Sequence, residues 1–395
     1  MRVLIATVTA GGGHLAAAAA LEEAWRSRRP DDTVEWIDLI TFFSPLHKKI
    51  YTTGYVKLVE RAPELWGMLF DKTDNPKVVR RLAKLSRAFP GSSRKKFVRY
   101  LKQFKPDAVL CTHFAQLEIL GSLQTSEGGV PRRLNRIEKM GARGTRPSEN
   151  WKPPFVVSVV TDFEAHALWM DACVDLYCVA AEETRARLLA RGVPPENTVV
   201  TGIPIAAKFS PEPDARIVRK TLGLRDKLPV LLVLSGGFGM GPVAEILAEL
   251  DKAPQPFQTV VVTGRNEKLR RDLASRTRRH PTQVLGFATN MHELMAVADL
   301  IITKPGGLTV SEALALGKPL FILNPIPGQE AANSDFLLEH GAAAKVNRVE
   351  DLPFRIEQLL GSKRLAEMAK AAKALGHPQS AITVCREVVK RLSPR

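Results

Sequence analysis

At 395 residues, 45% of them hydrophobic and 25% charged, the chain is too long for one ordinary core and suits two α/β domains of about 200 residues each, which excludes a disordered or fibrous protein. Lys and Arg number 57 against 41 Asp and Glu, a formal net charge of +16, so the surface seeks anions: nucleic acid, an anionic bilayer face or a phosphate-bearing substrate. The four cysteines form no CxxC pair and no neighbouring histidine pattern completes a zinc site; with no signal peptide in MRVLIATVTAGGGH and no run of roughly 18 apolar residues, the expectation is buried, reduced thiols in a cytoplasmic protein whose membrane contact is peripheral.

In chain order, the β-branched run Arg2 to Val8 reads as a strand, Gly11 to Gly13 as a tight loop and His14 to Arg26 as a helix. Further strands are expected at 34–39, 108–112, 156–161, 176–179 and 198–201, with helical patterns between several of them. The second half repeats the logic at 230–235, 259–263, 283–287, 300–303 and 320–323. Alternating β and α elements imply parallel sheets covered on both faces. The proline-rich segment 201–214 suits a connection between domains, placing one domain at 1–207 and another at 208–375, with a helix in 376–395 expected to pack back on the first. Residues 124–154 lack any apolar period and read as a flexible insertion.

From Lys48 to Lys105 the chain holds sixteen Lys or Arg against four acids, most of the protein's charge excess. Phe42, Phe43, Trp66 and Phe70 lie beside these cations, Lys48 and Lys49 among them, and apolar anchors flanked by basic side chains fit a bilayer interface. A core edge with a solvated basic face is the competing reading; no motif supports nucleic-acid binding.

Several glycine-bearing turns follow strands, where open α/β sheets bind ligands. In Gly11-Gly12-Gly13-His14 the glycines let a ligand approach the backbone, and His14 suits a general base for a hydroxyl nucleophile, or else merely caps a helix. In Thr161-Asp162-Phe163-Glu164-Ala165-His166-Ala167-Leu168-Trp169, Asp162 is a candidate to orient a base or substrate hydroxyl, and His166 and Trp169 to line an acceptor pocket; a helix cap and a core tryptophan are the alternatives. Gly236, Gly237, Phe238 and Gly239 form a turn able to cradle a pyrophosphate, although no GK[ST] follows to make a P-loop, and Gly264-Arg265 follows the next strand. Lys304-Pro305-Gly306-Gly307-Leu308-Thr309-Val310-Ser311-Glu312 offers turn amides and Thr309 to phosphate oxygens and Glu312 to ribose hydroxyls, or forms a plain capping box. Gln329 and Glu330, after Asn324-Pro325-Ile326-Pro327-Gly328, are placed for sugar hydroxyls.

Taken together, GGGH at 11–14, TDFEAHALW at 161–169, VTGIPI at 200–205, KPGGLTVSEAL at 304–314 and NPIPGQE at 324–330 resemble the monogalactosyldiacylglycerol synthase and processive diacylglycerol glucosyltransferase family, which belongs with the MurG-type transferases of family GT28. The resemblance implies a GT-B fold, two Rossmann-like doubly wound domains facing each other across a cleft, with the acceptor handled by the first and the UDP-sugar by the second. It implies His14 as the base with Gly12 and Gly13 near the acceptor, Gly306 to Thr309 with Glu312 on diphosphate and ribose, Phe287 and Ala288 bordering uracil, Gln329, Glu330 and Asn333 facing the hexose, and Lys208 near the nucleotide. The expected activity is inverting, metal-independent and cofactor-free transfer of glucose or galactose from UDP to diacylglycerol, on the inner face of the cell membrane. A MurG-like transfer of N-acetylglucosamine to a polyprenyl-linked acceptor, a UDP-sugar epimerase and a non-catalytic membrane-binding protein are the alternatives.

Overall fold

The computed structural model describes residues 1–9, 12–44, 48, 49, 54, 62–75, 78, 79, 91–126, 153–210, 213–236 and 241–393. Most of the expected insertion at 124–154, together with Gly11, Gly237, Phe238 and Gly239, lies outside them. The chain divides into two compact units, Met1–Ala206 with Ser380–Arg395, and Ala207–Gln379.

In the first unit β1 (Arg2–Thr7), β2 (Thr33–Asp38), β3 (Ala108–Cys111), β4 (Phe155–Val159), β5 (Leu176–Val179) and β6 (Thr198–Val200) form a parallel sheet in the order β2-β1-β3-β4-β5-β6. Helices among its described residues include α1 (Gly12–Arg28), α2 (Pro63–Thr73), α3 (Gly91–Phe104), α4 (Ala115–Ser126) and α5 (Glu182–Ala190). Alternation along the strands sends Leu4, Ala6, Val109 and Cys111 into one core with Phe97, Leu101, Leu117 and Leu120. Val3, Ile5, Ala108 and Leu110 enter the opposite core with Leu21 and Trp25 of α1. Burial of each such side chain stabilises the fold by roughly 1.5–3 kcal/mol, which is why runs as apolar as VLIA and AVLC become central strands.

In the second unit β7 (Val230–Leu234), β8 (Gln258–Val262), β9 (Thr282–Leu285), β10 (Leu300–Thr303), β11 (Leu320–Leu323) and β12 (Ala343–Val346) form a second parallel sheet, ordered β12-β11-β10-β7-β8-β9. Its helices are α6 (Ala215–Thr221), α7 (Val243–Leu250), α8 (Glu267–Ala274), α9 (Met291–Val297), α10 (Gly307–Ala315), α11 (Gln329–Glu339), α12 (Leu352–Leu359) and α13 (Lys363–Leu375). The final helix, α14 (Ser380–Leu392), belongs to the first unit: Ala381, Val384, Cys385 and Val388 lie in the core shared with α1, and the Ser380 hydroxyl accepts from the Ile205 amide.

Both sheets reverse direction once. In the first, strand order turns between β1 and β3; in the second, between β7 and β10. The carboxyl ends of those pairs are the crevices where doubly wound sheets hold ligands. Just beyond them lie His14 and Thr112-His113 in one unit, and Ser235, Gly236 and Lys304 to Gly307 in the other.

Candidate active site

The helix after β1 starts earlier than its sequence suggests: Gly12 and Gly13 form the first turn of α1 instead of a loop, and a Cβ on Gly12 would meet nothing within 4 Å. His14 therefore sits in the opening turn, half-buried. Its Nδ1 lies 2.9 Å from the Thr112 carbonyl oxygen, an atom that can only accept, so Nδ1 carries the proton. The Thr161 hydroxyl is 3.0 Å from the same nitrogen. With Nδ1–H so engaged, Nε2 is left as the basic lone pair. Burial lowers the His14 pKa to about 4, against the opposing pull of the Thr112 carbonyl, so the ring is neutral at ordinary pH and fit to take a proton.

Thr112, Thr161 and the neighbouring His113 escaped the sequence reading. They lie on loops after β3 and β4, and only the sheet brings them to His14. His113 is 3% exposed; its Nδ1 accepts from the Ala115 amide at 3.0 Å, and its ring meets that of His14 edge-on with centroids 4.7 Å apart. Trp169, 3% exposed, packs 6.4 Å from His14, which places it in the wall of this crevice and in the core at once.

The contacts that orient the His14 ring come from Thr112 and Thr161, while Asp162 is half-buried in the loop just beyond. His166 is fixed at both nitrogens: Nδ1 accepts from the Leu168 amide and Nε2 donates to the Phe70 carbonyl, so the ring builds the fold and is not open to line an acceptor pocket. Beside it, Asp74 at the end of α2 accepts from the Ala167 amide at 2.7 Å and pairs with Arg187 and Arg191. Burial alone would raise the Asp74 pKa; Arg191, the Ala167 amide and Arg187 outweigh it and bring it to about 2.

The expected membrane aromatics are half-buried. Phe42 stacks against Phe97 and Tyr100, Phe43 packs on the same core, and Trp66 and Phe70 lean on each other, with Phe70 against His166. The exposed side of α2 is instead Leu65, Met68 and Leu69, at 48%, 54% and 44% exposure, followed by Lys72 at the same helical spacing. Lys48 and Lys49 are exposed as expected.

The second unit offers a site of different character. Gly306 caps α10 with no side-chain hydrogen bond, so the amides of Gly307, Leu308 and Thr309 open the helix toward the crevice and Thr309 lies inside the first turn, where the capping box does not form. A small open pocket adjoins this end of the sheet, lined by Leu234, Gly241, Thr303, Lys304 and Asn324 among others. Gly236, at φ 71°, needs the freedom of glycine to turn the chain away from β7.

Around it, burial raises the pKa of half-buried Glu312 to about 7 while Lys208 pulls the other way, and the Lys208 ammonium donates to the Thr289 carbonyl at 2.7 Å. Phe287, following β9, presents a ring that is 61% exposed, with the Arg265 guanidinium 5.4 Å from its centroid and Ala288 half-buried alongside. Gly264 turns the chain before Arg265. Glu330 accepts from the Ile326 amide at 2.8 Å, beside half-buried Gln329. Asn333, expected to face a hexose, is fully buried and donates to the Pro305 carbonyl at 3.0 Å; it holds the 304–307 turn in place.

Comparison with known proteins supplies the rest. The monogalactosyldiacylglycerol (MGDG) synthase family model matches residues 14–131 and 143–205, and the glycosyltransferase family 28 C-terminal domain matches 232–384. A processive diacylglycerol β-glucosyltransferase of Bacillus cereus (strain AH187) is 30% identical over 96% of this chain and 91% of its own length, and one of Bacillus pumilus (strain SAFR-032) is 28% identical over 99% and 95%. The chain belongs to the monogalactosyldiacylglycerol synthase and processive diacylglycerol glucosyltransferase family. Solved structures share the GT-B fold of this family: Acinetobacter baumannii MurG has a TM-score of 0.60 at 18% identity, covering 98% of this chain and 99% of that one. A Neisseria meningitidis UDP-GlcNAc 2-epimerase bound to UDP-GlcNAc has a TM-score of 0.61 at 14% identity, covering 99% and 100%. Transferases and epimerases thus share the architecture, and within it the family's sequence likeness is what separates them.

Proposed function

We propose that this protein transfers a hexose from a UDP-hexose to the free hydroxyl of diacylglycerol, without a metal ion, at a membrane surface. The observation that carries the chemistry is the fixed tautomer of His14, whose Nδ1–H is engaged by the Thr112 carbonyl so that Nε2 is the base. As the acceptor oxygen attacks the anomeric carbon, its proton passes to Nε2; the bond from that carbon to the diphosphate oxygen breaks and its electron pair leaves with UDP. A single displacement on an α-linked donor yields the β-linkage named in the Bacillus relatives.

In this reading the second unit holds the donor. The first-turn amides of α10 meet the diphosphate and offset the charge that grows on it, Glu312 accepts from ribose hydroxyls, Phe287 stacks on uracil, and Glu330 with Gln329 reads the hexose. The exposed stripe Leu65, Met68 and Leu69 enters the lipid interface while Lys48, Lys49 and Lys72 meet anionic headgroups. No helix among the described residues is long and apolar enough to cross a bilayer. The test offers diacylglycerol liposomes with labelled UDP-glucose, UDP-galactose or UDP-N-acetylglucosamine. A labelled glycolipid from UDP-glucose is the expected product; label only in polyprenyl lipid, or conversion of the donor with no acceptor present, overturns the proposal in favour of a MurG-like transferase or an epimerase.

A further inference from the structure

The two histidines at the β1/β3 crevice are locked in opposite tautomers. His14 is protonated on Nδ1 because its neighbour there is a carbonyl oxygen, which leaves Nε2 an acceptor. His113 is unprotonated on Nδ1 because the Ala115 amide donates to it, which leaves Nε2–H a donor. Among the described residues no acceptor is bonded to that N–H, and His113 as a residue is 3% exposed. The His113 ring is also held still, stacked on Phe114 at 4.2 Å and 6.5 Å from Trp169.

We infer that His113 is a second hydrogen-bonding residue for the acceptor, donating from Nε2 to the same hydroxyl oxygen whose proton His14 removes. A hydroxyl donates once and accepts through two lone pairs, so the pair matches it: O–H to His14 Nε2, one lone pair to His113 Nε2–H, the other free to attack carbon. In the reaction the O–H proton moves to His14, the new C–O bond forms as the bond to diphosphate breaks, and His113 keeps its proton throughout. The adjoining rings, with centroids 4.7 Å apart, aim the nucleophile instead of merely activating it. This inference rests on the proposed transfer reaction.

Two variants separate the donor from the helix-capping role of the same ring. In His113→Asn the amide oxygen takes over the acceptor position of Nδ1 and no group reaches the position of Nε2; turnover of diacylglycerol should fall about 100-fold with UDP affinity and melting temperature near wild type. In His113→Gln the amide nitrogen reaches the Nε2 position while the Ala115 amide loses its partner; most turnover should survive, with a melting temperature lowered by roughly 2–4 °C. Wild-type turnover in His113→Asn, or losses that follow melting temperature and not the donor, overturn the assignment. Failure of the transfer reaction itself shows in the wild-type protein, which keeps the two hypotheses apart.

Discussion

The crevice of the first unit and that of the second sit at equivalent places in their sheets and work by different means. Beside β1 and β3 the groups proposed for the chemistry are side chains: two imidazoles whose tautomers are set by a carbonyl on one and an amide on the other. Beside β7 and β10 the groups proposed to meet the donor are backbone amides at the mouth of α10, which no substitution other than proline removes. On this proposal one unit stakes its function on a few replaceable atoms, and the other spreads it over the main chain. A single mutation should silence the first and only weaken the second.

The largest effect sharpens that contrast. His14→Ala should lower turnover roughly 1000-fold while calorimetry finds UDP affinity unchanged; a matching loss of UDP affinity would erase the division of labour. Next comes the ion cluster behind the first crevice. Asp74→Asn should destabilise by roughly 2–3 kcal/mol, read by denaturant unfolding, because Arg187 and Arg191 lose their shared carboxylate. Since the Asp74 pKa is depressed to about 2, the stability it supplies is present above the ordinary carboxylate range and vanishes as pH falls through about 2; the variant should flatten that acid limb.

In the second unit the effects should be smaller. Glu312→Gln should weaken UDP binding about 10-fold. With its pKa raised to about 7, Glu312 ionises as pH climbs through neutrality, and only the carboxylate accepts from both ribose hydroxyls. UDP affinity should thus rise with pH across that window and binding should release a proton, seen as buffer-dependent heat that the Gln variant lacks. Phe287→Ala should weaken UDP about 5-fold, at the low end of base–aromatic stacking. The smallest effect is a gain: Gln116 is fully buried in α4 with neither amide atom partnered among the described residues, so Gln116→Met should stabilise by about 1 kcal/mol, checked by melting temperature.

Most strands of both sheets were legible as short runs rich in β-branched and apolar residues, and the eleven expected positions all hold strands. The twelfth, Ala343–Val346, was not, since AAKV carries little β-branched character and is a strand only through its pairing with β11. Glycines that follow strands were equally visible as candidate ligand turns. What sequence could not show was who holds His14: Thr112 and Thr161 lie 98 and 147 positions away, and their own neighbours in the chain carry no sign of the contact. Nor does a hydrophobic run say which side chains it exposes most: Phe42, Phe43, Trp66 and Phe70 read as surface anchors and are half-buried, while Leu65, Met68 and Leu69 are more exposed.

Helix α14 makes the first unit discontinuous in sequence, and this bears on how the protein is born. Residues 380–392 leave the ribosome only after the entire second unit, so α1 must wait, with Leu21 and Trp25 lacking the cover of Val384 and Val388, while Ala207–Gln379 is already free to fold. The nascent chain thus finishes its earliest segment last, and a ribosome that stalls before codon 380 releases a protein whose second unit is complete and whose first unit lacks the cover of α14.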